Sequence, residues 1–162
     1  MSADPDIAFL ASNLLRRGWM LSTAESCTGG MIAASCTHLS GSSAWFERGF
    51  VTYANEAKTE MLGVPATLIA QHGAVSEEVA KAMALGALAH SKANFSVAVT
   101  GVAGPTGGSP EKPVGTVWLA WASRNPAQCI SIRQVFSGDR QAVREATTAL
   151  ALAQLTKMVT GS

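Results

Sequence analysis

The sequence predicts an α/β protein, a three-layer α/β/α fold around a mixed, mostly parallel sheet of about five strands. Three observations carry that expectation. In the first part of the chain, short apolar runs alternate with stretches of helical periodicity, the pattern that packs helices on both faces of a sheet. Two β-rich runs near the end flank a polar turn and read as a hairpin, which makes the sheet mixed. Finally, 162 residues fit one domain with a real hydrophobic interior, here spanning residues 1–162.

Each element has its own local reason. Residues 5–18 form an amphipathic helix on this reading: Ile7, Leu10, Leu14 and Leu15 share a face, Asp4 or Asp6 can cap the start, and Gly18 ends it. Residues 19–24 follow as a short strand. After Gly29 and Gly30 a second helix opens at Met31 and stops near Gly41. Residues 45–53, rich in aromatic and β-branched side chains, make the second strand. A short helix from Asn55 carries Lys58 to Gly63, and Pro65 prevents its continuation. Another helical piece covers 66–71 and ends at His72 and Gly73. Ser76 caps a longer helix through His90, with Glu77 and Glu78 in the first turn, where the helix dipole favours acids. Residues 95–100 are a buried strand, and residues 101–113 form a loop with four glycines and three prolines. Strands 114–121 and 129–136 make the hairpin across Ser123, Arg124, Asn125 and Pro126. The segment Ser137-Gly138-Asp139 caps a final helix that ends near Val159.

Composition narrows the possible functions. The chain is 48% hydrophobic and only 14% charged, so few charges remain to cover a surface and a homo-oligomer is expected. The formal net charge is +1, and Arg16 with Arg17 and Arg140 with Arg144 are the closest approach to a basic cluster. Nucleic-acid binding needs clustered cations, so no such partner is expected. No apolar run reaches the roughly 20 residues that cross a bilayer, and the start lacks a basic leader, which predicts a cytoplasmic protein without a membrane partner. Cys27, Cys36 and Cys129 are odd in number and have no paired spacing, and His38, His72 and His90 are scattered. No disulfide framework, metal or cofactor is expected from them.

Three segments hold polar residues beyond what packing needs. In residues 23–30 a strand turns at once into a helix, which places Ser26 at the carboxyl edge of the sheet, where open α/β folds bind ligands. Cys27, Thr28, Gly29 and Gly30 then offer backbone N–H groups to an anion or oxyanion, and Ser26 is a candidate nucleophile. The plainer alternative is that Ser26 or Thr28 only caps the helix. Residues 53–58 leave a second strand, so Tyr53 and Lys58 emerge near a sheet edge as well. A lysine drawn partly out of water loses proton affinity and can serve a serine as base. Its plainer reading is a solvated helix lysine. Thr100 and Gly101 open the Gly-rich loop, which can wrap a phosphate or a ring, or simply connect two strands. Arg140, at the start of the last helix, can hold a carboxylate or phosphate, or make a surface ion pair.

These segments together resemble a known family. Ala-Glu-Ser-Cys-Thr-Gly-Gly, Tyr-x-Asn-x-x-Lys, the Val-Thr-Gly-x-Ala-Gly-Pro loop, Pro-Val-Gly-Thr-Val and Gly-Asp-Arg look like the C-terminal domain of competence/damage-inducible CinA proteins, in order and over nearly the whole chain. The resemblance implies hydrolysis of the carboxamide of nicotinamide mononucleotide to nicotinic acid mononucleotide and ammonia, a step in pyridine-nucleotide recycling. It implies a Ser–Lys dyad, which falls on Ser26 and Lys58, and it puts Tyr53, Thr100, Gly101 and Arg140 near the substrate. Longer relatives carry an additional N-terminal domain, and the resemblance here is to the amidase-like domain. Two rival readings stand beside it: a non-catalytic nucleotide-binding or regulatory module, and a structural partner in DNA uptake or repair. The first would need no neutral lysine beside Ser26, and the second would need a basic stripe.

Overall fold

The computed structural model describes residues 6–161. Along the chain run α1 (Ile7–Arg17), β1 (Leu21–Glu25), α2 (Met31–Thr37), a 3₁₀ turn (Ser42–Ala44), β2 (Phe46–Val51), α3 (Asn55–Leu62), α4 (Ala66–His72), α5 (Glu77–Ala89), β3 (Phe95–Gly101), β4 (Thr116–Arg124), β5 (Ala127–Val135) and α6 (Arg140–Thr160). The sheet order is β2-β1-β3-β4-β5. The pairs β2/β1 and β1/β3 are parallel, whereas β3/β4 and β4/β5 are antiparallel, so β4 alone runs against the other four. This is the α/β sandwich with a mixed, mostly parallel sheet that the sequence pattern predicts.

Strand alternation divides the core into two halves. Leu21, Val97, Val99, Leu119 and Trp121 face α1, α2 and α6, where they meet Leu10, Leu14, Ile32, Leu152 and Leu155. The opposite face carries Ala24, Ala98, Ala120 and Ala122 against Val79, Met83 and Leu88 of α5. Ala24 pairs with Ala98 and Ala98 with Ala120, so one row of methyl groups crosses three strands. Side chains this small let α5 settle close to the sheet, and the hydroxyl of Ser96 donates to the Ala84 carbonyl at 2.7 Å. Helix α3 closes on α5 in the same manner. A Cβ placed on Gly86 would lie 2.2 Å from the Leu62 carbonyl oxygen, so glycine is the residue that admits this crossing.

Element starts follow the predicted caps. The Asp6 carboxylate accepts from Phe9 N at 2.9 Å, Ser76 Oγ from Val79 N at 3.3 Å, and the Asp139 carboxylate from Ala142 N at 2.9 Å. Asp4, the other candidate cap of α1, lies outside the described residues. Several ends differ from expectation. The first strand begins at Leu21 rather than 19, because Trp19 N closes the end of α1 on the Leu14 carbonyl and Met20 N donates to the Asn94 side chain. Helix α2 stops at Thr37, short of Gly41, and the 3₁₀ turn takes up the chain after it. The hairpin ladder runs on to Arg124 paired with Ala127, which leaves a turn of Asn125 and Pro126 alone. Among the described residues, no helix is long and apolar enough to cross a membrane.

The register of the parallel strands sets the position of the site. Glu25 stands opposite both Val51 and Val99, so the chain segments that leave β1, β2 and β3 emerge side by side at one edge. Because α3 is held against α5 at Gly86, Gly86→Ala should lower stability by about 1–3 kcal/mol despite the better helix propensity of alanine. Thermal or chaotrope unfolding measures this, and an unchanged midpoint would contradict the close packing.

Candidate active site

Ser26 continues the ladder by one bond, its amide donating to the Val99 carbonyl at 3.0 Å. The chain then turns: Gly29 N donates to the Ser26 carbonyl at 3.1 Å, and Gly29 and Gly30 take φ of +59° and +108°, a region that L side chains rarely enter. Glu25 holds the turn from below. Its side chain is fully buried; Oε1 accepts from Thr28 Oγ1 at 2.6 Å and Ile32 N at 2.8 Å, and Oε2 from Ala33 N at 3.0 Å. A carboxylate from the strand thereby satisfies the first free amides of α2.

Lys58 lies in the first part of α3, in a segment that reads as polar and solvated. It is nevertheless only 1% exposed. Its Nζ donates to the carbonyls of Thr52 at 2.9 Å and Tyr53 at 3.3 Å, and to Ser26 Oγ at 3.1 Å. The two groups are 32 positions apart in sequence. Loss of water around the amine lowers the Lys58 pKa from its ordinary 10.5, because burial penalises the charged form. The neighbouring Cys27 thiol moves the other way. Burial, with the Glu25 carboxylate adding to it, pushes it up to about 11, which keeps it protonated and a poor nucleophile.

A cleft of about 290 Å³ opens over this pair. Of the sequence-predicted residues, Ser26, Cys27, Tyr53, Lys58, Thr100, Gly101 and Arg140 line it. Thr28, Gly29 and Gly30 are not among the residues that line it. Glu25 draws the Thr28 hydroxyl and the start of α2 onto itself. Thr100 is 1% exposed, and its hydroxyl donates to the Ala74 carbonyl at 2.9 Å, so it holds the wall formed by Ala74 and Val75. Arg140 bridges the mouth, with Nη1 donating to the Gly104 carbonyl and Nη2 to Tyr53 Oη, both at 2.8 Å.

Sequence reasoning missed two residues here. Asn55 lines the cleft one turn before Lys58; it stands in the Tyr-x-Asn-x-x-Lys motif, and that spacing was its only signal. Arg144 donates from Nε to the Cys27 carbonyl at 3.0 Å and from Nη2 to the Thr28 carbonyl at 3.1 Å. Its signal was its place four residues after Arg140, on the same side of a helix. The histidines behave as caps or surface groups: His38 and His90 close α2 and α5, and His72 sits 3.6 Å from Glu78. Cys27, Cys36 and Cys129 are free thiols. Among the described residues, no group of three or more His, Cys, Asp or Glu is arranged to hold a metal ion.

A hydroxyl, an amine of lowered proton affinity and a guanidinium thus converge on one cleft, a set suited to acyl transfer. Comparison with known proteins adds to this. Over 142 residues the chain is 57% identical to nicotinamide-nucleotide amidohydrolase PncC of Escherichia coli, covering 88% of this chain and 86% of that protein. It is 56% identical over 151 residues to the protein of the same name from Pseudomonas putida, covering 93% of each. Among solved structures, the competence/damage inducible protein CihA from Agrobacterium tumefaciens superposes with a TM-score of 0.87 at 49% identity, over 94% of both chains. A CinA superfamily protein from Klebsiella pneumoniae gives a TM-score of 0.90 at 39% identity over 96% of both. The sequence profile of the CinA C-terminal domain matches residues 6–159, and the chain belongs to that family.

Proposed function

We propose that this protein hydrolyses the carboxamide of nicotinamide mononucleotide to nicotinic acid mononucleotide and ammonia, with Ser26 as nucleophile and Lys58 as its base. The observation that carries the reading is the 3.1 Å approach of the buried Lys58 amine to Ser26 Oγ. Relatives that are 57% identical over 142 residues and 56% identical over 151, both named nicotinamide-nucleotide amidohydrolase, support the choice of substrate.

The steps follow from the geometry. In the neutral amine, the Thr52 and Tyr53 carbonyls take two N–H bonds and the lone pair faces the Ser26 hydroxyl. Lys58 removes the serine proton as Ser26 Oγ bonds to the carboxamide carbon. The oxygen of that group becomes an oxyanion. The turn's own bonds use the amides of Ser26, Gly29 and Met31, and Thr28 and Gly30 lie outside the cleft lining, so the oxyanion donor is assigned to the Cys27 amide. The C–N bond then breaks, the lysine proton leaves with ammonia, and water, deprotonated by Lys58, releases the carboxylate from Ser26. Arg140 supplies positive charge at the cleft mouth for the substrate phosphate, beside the amides of the Gly-rich loop.

The chemistry as written uses no metal or cofactor. The same reading places the enzyme in the cytoplasm as a homo-oligomer, in pyridine-nucleotide recycling, with a pyridine mononucleotide as its small-molecule partner and neither nucleic acid nor membrane as a ligand. The low charge content and the lack of a basic stripe support it.

Ammonia release from the mononucleotide tests the dyad. Ser26→Ala and Lys58→Met should each lower kcat by about 10²–10⁴-fold with the fold retained, and the double variant should be no worse than the poorer single one. Full turnover in either single variant would refute the scheme. The base must be neutral, so kcat/KM should fall as pH drops through the depressed Lys58 pKa and level off above it. An acid limb centred at 10.5, the ordinary value, would show that burial does not tune this amine. Arg140→Ala should raise KM about tenfold or more, the scale of one lost charge-assisted hydrogen bond, with a smaller change in kcat.

A further inference from the structure

We infer that Arg144 is a positioning residue for the reaction, fixing the peptide planes of the Ser26 turn from helix α6. The inference rests on Ser26 being the nucleophile. Two arginines one helical turn apart divide the work at the start of α6. Arg140 faces the cleft, the Gly104 carbonyl and the Tyr53 hydroxyl. Arg144 instead reaches back across 117 positions to the turn that carries Ser26, where it grips two consecutive carbonyls, those of Cys27 and Thr28.

Holding these carbonyls sets the direction of the amides opposite them. In a trans peptide the N–H points away from the C=O. With the Thr28 carbonyl on Arg144, the N–H of Gly29 must point away from α6, and it donates to the Ser26 carbonyl at 3.1 Å. With the Cys27 carbonyl on Arg144, the N–H of Thr28 is likewise turned away from that helix. The Ser26 carbonyl that Gly29 N binds shares its peptide with the Cys27 amide, the one assigned to the oxyanion, so the grip of Arg144 on the Thr28 carbonyl aims a catalytic donor through that bond. A cation on a peptide carbonyl also polarises the group and strengthens its N–H as a donor.

The chemistry of the contact calls for arginine. Two carbonyls on successive peptides need two donors at a fixed separation, which the planar guanidinium supplies from Nε and Nη2 and an ammonium does not. The turn is therefore held from two sides: Glu25 takes the amides of Ile32 and Ala33, and Arg144 takes the carbonyls. The anchor itself is firm, because Val143, Thr147 and Ala151 seat α6 in the core around it.

The test uses the purified full chain, nicotinamide mononucleotide, and rates scaled to the fraction folded at the assay temperature. Arg144→Met should lower kcat by about 10–100-fold, below the cost of deleting an oxyanion donor outright, while KM stays within about threefold. Arg144→Lys, able to hold one carbonyl, should recover part of kcat; it also serves if the methionine variant does not fold. Arg140→Ala, measured alongside, should show the opposite split, with the change in KM. A scaled kcat within twofold of wild type in Arg144→Met, or in Arg144→Lys if only that variant folds, overturns the inference. So does a loss that appears wholly in KM. An inactive Ser26→Ala beside a fully active Arg144 variant would overturn this inference alone, whereas an active Ser26→Ala would overturn the nucleophile assignment beneath it.

Discussion

A lysine amine held out of water, within one hydrogen bond of a serine hydroxyl, is the constraint around which this molecule is arranged. An ammonium in that position would be expensive to bury, and the surroundings do little to make charge comfortable, offering two main-chain carbonyls and a hydroxyl. Burial therefore shifts the balance toward the uncharged amine, which is the form able to accept a proton. Burial and basicity are two aspects of one placement.

The rest of the fold serves that placement. Parallel pairing brings the ends of β1, β2 and β3 to a common edge, so a serine after one strand and a lysine after another meet without a long excursion. Rows of alanine on the α5 face, and a glycine where α3 crosses α5, keep the layer carrying Lys58 tight against the sheet. On the other side of Ser26, opposite charges secure one turn: a buried carboxylate for its amides, a guanidinium for its carbonyls. The edge of the sheet beneath the cleft draws on both helical layers, with α3 providing the amine and α6 the two arginines.

The fold was legible in the sequence to a large extent, because caps and periodicity are local. Asp6, Ser76 and Asp139 act where a helix start needs an acceptor, and the strand–helix alternation fixes the layers. Ends were less legible where a distant partner replaces the ladder, as Asn94 does for Met20. At the site, Ser26 and Lys58 each had an equally plain structural explanation in isolation, and only their joint membership in an ordered set of motifs singled them out. The burial of Lys58 could not be read from Asn-Glu-Ala-Lys-Thr-Glu, a segment that looks solvated; it arises from strand register. The position of Thr28 outside the cleft lining was hidden for a related reason: its hydroxyl turns onto Glu25, which lies on the preceding strand rather than in the helix.

One further consequence lies in the sheet order. Strand β2, which leads into Lys58, is an edge strand with β1 as its single neighbour, whereas Ser26 leaves a strand paired on both sides. Edges fray at a lower free energy than interiors open. A partial opening at this edge parts the amine from the hydroxyl while the strand of Ser26, and most of the protein, stays folded. Under the proposed mechanism turnover and global structure have different thermal endurance, and hydrolysis should fade on warming while the bulk of the secondary structure persists.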